Sequence, residues 1–153
     1  MGDEPRGGGR VQFDWEGSLQ LARQLWNLAD DLQEEDAGRE TQYDTAKAKW
    51  LGTYGEQFAD RRVTERGSKN HVVAGLREDA RAWAQAWASA MDQQNKNNRA
   101  DEVKRVSDDR SLWDKGVDAT VGEDNSDDKV PMPAAVPVPT PPGFAPTATE
   151  TTY

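Results

Sequence analysis

The sequence predicts an all-α fold: an antiparallel hairpin of two long helices, followed by a disordered proline-rich C-terminal tail. Three observations carry that expectation. Apolar side chains recur at three- and four-residue steps on both sides of a short glycine-containing stretch at 50–55. The two apolar stripes come into register when the chain is folded back at residues 50–54. Seven of the eight prolines fall between Val130 and Pro146, outside both stripes. The expected organisation is a flexible N-terminus over 1–10, a helical-hairpin domain over 11–117, and an acidic, then proline-rich, disordered tail over 118–153.

The first helix is expected from Ser18 to Lys49, a run without proline and with Gly38 as its one glycine. Ser18 suits the start, because its hydroxyl can accept a hydrogen bond from a free first-turn amide. Leu21, Leu25, Leu28 and Leu32 then repeat at 4-3-4 spacing, with Leu19, Ala22, Trp26 and Ala29 alongside. Together the two sets cover roughly 180° of the helical wheel, more than the arc of about 100° that a single contact needs.

At the bend, Gly52 and Gly55 suit the turn, since glycine tolerates the left-handed conformations that end helices. Thr53 is a cap for the second helix, and Trp50 is placed to cover the hairpin tip. After Gly55 the helical signal continues without proline to about Arg110. Val72, Leu76, Ala80, Trp83, Trp87 and Met91 mark its apolar side. Gly67 and Gly75 each weaken it by on the order of 1 kcal/mol relative to alanine, so a kink or break is expected near residues 66–68.

Folding back at the bend sets Ala46 level with Phe58, Leu21 and Leu25 near Ala80 and Trp83, and Leu28 opposite Val72–Leu76. Phe13 and Trp15 come level with Trp87 and Met91. The middle of the hairpin, around Glu35–Arg39 and Arg62–Lys69, is polar and is expected to pack poorly. If the four leucines face the second helix, Leu19, Ala22 and Trp26 need another partner. An exposed strip holding a tryptophan is a mark of an interaction surface. Leu19, Ala22, Trp26, Trp83, Trp87 and Met91 are therefore the candidate partner-binding residues, for a homo- or heterodimer with another helical hairpin.

Composition excludes several classes. A net charge of −9 without an unbroken basic cluster argues against nucleic-acid binding. There is no run of 18 apolar residues and no signal-peptide pattern, so stable membrane insertion is not expected. The absence of cysteine removes disulfides, thiolate catalysis and most zinc sites. His71 is the only histidine and has no serine elbow or cysteine to act with. The paired acids Asp30-Asp31, Glu34-Glu35-Asp36 and Asp108-Asp109 lie in solvated helical runs, where nothing separates their pKa values for acid–base work. "DNSDD" at 124–128 lacks the glycine and glutamate of a calcium loop. "PVPTPP" at 137–142 reads as a spacer or a PxxP ligand. No catalytic residue, cofactor or metal is expected, and the chain reads as a non-enzyme.

Two long amphipathic segments with Trp50-Leu51-Gly52 at the bend, in a chain without cysteine, resemble the WxG family of actinobacterial and firmicute type VII (ESX-type) secretion substrates. "LARQLWNLADDL" and "LREDARAWAQAWASAMDQQN" look like the two helices of actinobacterial members, so the resemblance covers roughly 11–105. A second Trp-x-Gly, Trp15-Glu16-Gly17, stands ahead of the first helix and not at a bend. The resemblance implies a folded dimer of two hairpins and a composite export signal, with a secretion ATPase as a further partner. That signal joins the WxG bend of one partner to a Tyr-x-x-x-Asp/Glu motif after the second helix of the other. Here Tyr43 and Tyr54 are followed at that spacing by Lys47 and Phe58, and no such motif follows the second helix. The implied location is cytoplasmic before export and then secreted or cell-surface, either with a partner carrying the tyrosine motif or, if its absence is decisive, cytoplasmic throughout. The alternative reading is a structural or assembly scaffold, phage- or envelope-associated, that oligomerises through the same hairpin.

Overall fold

Two long helices pack together in the computed structural model, which describes residues 8–49, 52–114 and 126–153. Helix α1 spans Trp15–Lys47 and α2 spans Thr53–Asp114, with a single turn, α3, at Ser126–Lys129. No strand occurs among the described residues. Trp50 and Leu51 of the Trp-x-Gly tripeptide lie outside them.

The helix starts differ from expectation for local reasons. α1 begins at Trp15, three residues before Ser18, with Asp14 in the position where a short acidic side chain is favoured. Ser18 is inside the helix and buried, and its hydroxyl donates to the Trp15 carbonyl at 3.3 Å. At the bend, Gly52 has φ of 89°, a left-handed value that only glycine adopts readily. Its carbonyl accepts the first hydrogen bonds of α2 from the Gly55 and Glu56 amides, at 3.0 and 3.2 Å. Gly52 is therefore the capping residue, Thr53 the first helical one, and Gly55 part of the first turn. α2 runs without a break through Gly67 and Gly75.

The chain divides into two compact units. One holds 15–85 with 140–145. In it the helices run antiparallel, because partners fall in number along α2 as they rise along α1. Asp30 pairs with Arg77, Asp36 with Lys69, Glu40 with Arg66, and the Tyr43 ring stacks on Phe58 at 5.3 Å.

These contacts reveal which side of α1 faces inward, and it is not the leucine side. Trp26, Gln33, Asp36, Glu40 and Tyr43 all touch α2, and with Leu19, Ala22 and Ala29 they form one stripe at alternating steps of three and four. That is the a/d seam of a coiled-coil pair. Leu19, Ala22 and Ala29 are buried at 0–2 % exposure, while Leu28 and Val72, expected to meet, are about half exposed at 48 % and 51 %. The face assignment is thus changed: the alanine stripe is at the centre of the seam, Leu21, Leu25 and Leu32 are half-buried, and Leu28 is exposed. The seam was hard to read because its second half is polar, whereas the leucine run is louder but ends at Leu32.

The other unit holds 8–14, 86–139 and 146–153. In it the second half of α2 buries Trp87, Ala88, Met91, Gln94 and Asn95. The segment from Val130 onward is not the disordered tail that its composition suggests. Val130 and Pro139 are buried, and the Arg99 guanidinium donates to the Val130 and Asp127 carbonyls at 3.2 and 2.7 Å. Prolines prevent this segment from forming its own ladder of hydrogen bonds, but not from docking its side chains on a helix.

Candidate functional site

The polar part of the helical seam is a packed charge network, where the sequence suggested a loose middle. Arg62, 7 % exposed, donates to Asp36 at 2.7 Å and to Glu40 at 3.1 Å. Lys69 also pairs with Asp36, and Arg66 with Glu40. On the flank, Arg39 bridges Glu65 and its own neighbour Glu35. The Lys69 ammonium, and after it Arg62, hold the Asp36 carboxyl below its ordinary value. Arg66, then Arg62, do the same for Glu40, and Asp36 raises Arg62 in return. Asp36 and Glu40 stay ionised at neutral pH and Arg62 and Arg66 hold their protons more tightly, so this part of the network orders the helices and offers no proton. Arg62 Nε and Nη1 find no hydrogen-bond acceptor among the described residues. A buried ionic contact of this kind fixes register more than it adds stability.

Above the charge network the seam changes character at Trp26. Two guanidiniums one helical turn apart on α2, Arg77 and Arg81, each lie 5.0 Å from the Trp26 ring centroid. Arg77 is held in place by Asp30 Oδ1 at 2.8 Å and Gln33 Oε1 at 2.7 Å. The Phe144 ring meets Trp26 edge-on, with centroids 5.8 Å apart and planes at 71°. Phe144 is completely buried. Its backbone is left-handed, φ 42°, a conformation that costs a non-glycine residue about 1–2 kcal/mol. Burying the ring is worth roughly 1.5–3 kcal/mol, and the edge contact about 0.5–1.5 kcal/mol more. Burial of the ring therefore outweighs the strain of the left-handed residue that carries it.

The second unit holds a different device. "QQNKNN" at 93–98 places amide side chains on successive positions of α2, where they bind two extended segments. The Val11 amide donates to Gln94 Oε1 at 2.8 Å, and Asn97 Nδ2 donates to the Gly9 carbonyl at 2.6 Å. On the C-terminal segment, the Thr151 amide donates to Asn95 Oδ1 at 2.8 Å, and Asn98 donates to the Thr151 carbonyl and to Glu150. A side chain on Gly8 would collide with the Asn97 backbone, so that approach requires glycine. Residues 8–10, expected to be flexible, are tied down here. Sequence reasoning missed this clamp. Its available signal was three asparagines, weak helix formers, at 95, 97 and 98 inside a helix, which implies a use other than helix formation.

Of the candidate partner-binding residues, Leu19 and Ala22 are buried, Trp26 is half-buried, and Trp83 is exposed at 41 %. Trp87 and Met91 are buried in the other unit. Of the motif residues, Gly52 caps α2, Gly55 lies in its first turn, and Trp50 falls outside the described residues. His71 is exposed. No cluster of metal-ligating side chains occurs among the described residues, and no helix there is long and apolar enough to cross a membrane. No protein-family model matches the sequence, and no curated protein or solved structure matches it.

Proposed function

We propose that the chain is a non-enzymatic helical-hairpin protein of the WxG type, working by association with a second hairpin. Its role is that of a type VII secretion substrate, or of the partner or adaptor of one. The observation that carries this reading is the antiparallel seam of α1 with α2 across a bend where the sequence reads Trp50-Leu51-Gly52. In this reading the chain supplies the bend at Trp50-Leu51-Gly52 and its partner supplies the tyrosine motif.

Because Leu19 and Ala22 are buried by their own chain, the partner surface moves to the leucine side, where Leu28 and Val72 are exposed. The test is co-expression with a second small WxG protein, and export in a host with or without the secretion ATPase. The reading expects a stable complex that Leu28→Glu weakens at least tenfold, and ATPase-dependent appearance in the supernatant. A chain that stays monomeric beside its sibling and remains inside cells with a working ATPase refutes it.

A further inference from the structure

We infer that the Trp26 cradle is a binding site for a proline-flanked aromatic peptide, and that the chain fills it in cis with its own residues 140–145. This does not depend on the secretion reading.

The ligand side has the form of a single anchor. Phe144 is fully buried while Pro142, Gly143, Ala145 and Pro146 around it are exposed. One inserted aromatic between solvent-facing neighbours is how short peptides are held in grooves. The loop also sets its own shape. The Phe144 amide donates to the Thr140 carbonyl at 2.9 Å, and the Thr147 hydroxyl donates to the Pro137 carbonyl at 2.5 Å, closing the neck. Such a segment arrives ordered and loses little freedom on docking.

The receptor side is built without the segment. Trp26 is flanked by Arg77 and Arg81, and Arg77 is locked by Asp30 and Gln33, all from α1 and α2. Cationic groups over the indole and an aromatic ring set roughly perpendicular to it are compatible uses of one ring. Any other chain using this site must carry the same chemistry, a phenylalanine set beside prolines, and must displace residues 140–145. Tethering gives the cis segment an effective concentration that a free competitor has to overcome.

The test uses full-length protein and a labelled peptide of sequence VPVPTPPGFAPTA, residues 136–148, read by fluorescence anisotropy. The Phe144→Ala chain, its own anchor removed, is expected to bind this peptide at least tenfold tighter than the wild-type chain does. Adding Trp26→Ala to that variant, or replacing phenylalanine by alanine in the peptide, is expected to abolish the binding. Equal binding by wild-type and Phe144→Ala chains, no binding by a Phe144→Ala chain with wild-type helix content, or binding indifferent to Trp26 overturns the inference. Should Phe144→Ala lose its helical signal, Phe144→Gly, which also removes the ring and suits the left-handed backbone, replaces it under the same expectation and the same refutation.

Discussion

Replacing Phe144 by alanine removes a fully buried ring and its edge contact with Trp26. Phenylalanine-to-alanine changes in packed sites cost about 3–5 kcal/mol. The lower end is expected here, because Pro142, Gly143, Ala145 and Pro146 around the ring are already exposed and only the ring is lost from the packing. For a chain of this size about 1 kcal/mol corresponds to roughly 2–4 °C, so a loss near 3 kcal/mol lowers Tm by about 6–12 °C. Alanine inherits the left-handed backbone at φ 42°, whereas glycine does not feel it. Phe144→Gly is therefore expected to be more stable than Phe144→Ala by about 0.5–1 kcal/mol, reversing the usual order of these residues in regular structure. Thermal and urea unfolding followed by far-UV circular dichroism measure both. An unchanged midpoint for Phe144→Ala refutes the docked anchor, and an alanine variant more stable than the glycine one refutes the left-handed geometry.

Asp36 and Glu40 have carboxyls held below their ordinary values, so their contribution to stability is complete above about pH 5 and is lost progressively as pH falls below the ordinary carboxylate range. The Asp36→Asn, Glu40→Gln chain should melt lower at pH 7 and show a flatter decline between pH 5 and 3. Gly67→Ala and Gly75→Ala fill helix-interior positions where an added side chain meets nothing, so each should raise stability by about 1 kcal/mol in urea titrations. Gly8→Ala should release the N-terminal arm from Asn97, seen as faster exchange of the Val11 amide with little change in Tm.

The existence of two long helices, and their folding back at 50–54, were legible because periodicity and register are properties of the chain alone. Ala46 with Phe58 was expected level, and the stacked pair found there is Tyr43 on Phe58, one turn away. Which side of α1 faces α2 was not legible. Leu21, Leu25, Leu28 and Leu32 outweigh Leu19, Ala22, Trp26 and Ala29 in hydrophobicity, yet small alanines let helices approach closely. The seam's continuation through Asp36 and Glu40 pairs with Arg62 and Lys69, a match between two helices that neither shows by itself. The tail was misread for a related reason. Proline content reports that residues 130–146 cannot build their own structure, but burial of Phe144 and Pro139 depends on a surface supplied elsewhere in the chain.

That face assignment changes what association with another hairpin requires. A partner approaching the alanine side of α1 would have to displace buried Leu19 and Ala22 from their own chain, forfeiting roughly 1.5–3 kcal/mol for the leucine alone before gaining anything. On the leucine side Leu28 and Val72 are already exposed, and covering them involves no such loss. The cleft there, about 320 Å³ and lined by Leu32, Val72, Glu35, Arg39, Glu65 and Lys69 among others, sets apolar groups between both signs of charge. A second hairpin that fits it offers apolar side chains flanked by charges, so added salt should slow its association more than it hastens its release. A complex whose association rate ignores ionic strength, or which forms only after residues 140–145 are displaced, would put the partner on the alanine side instead.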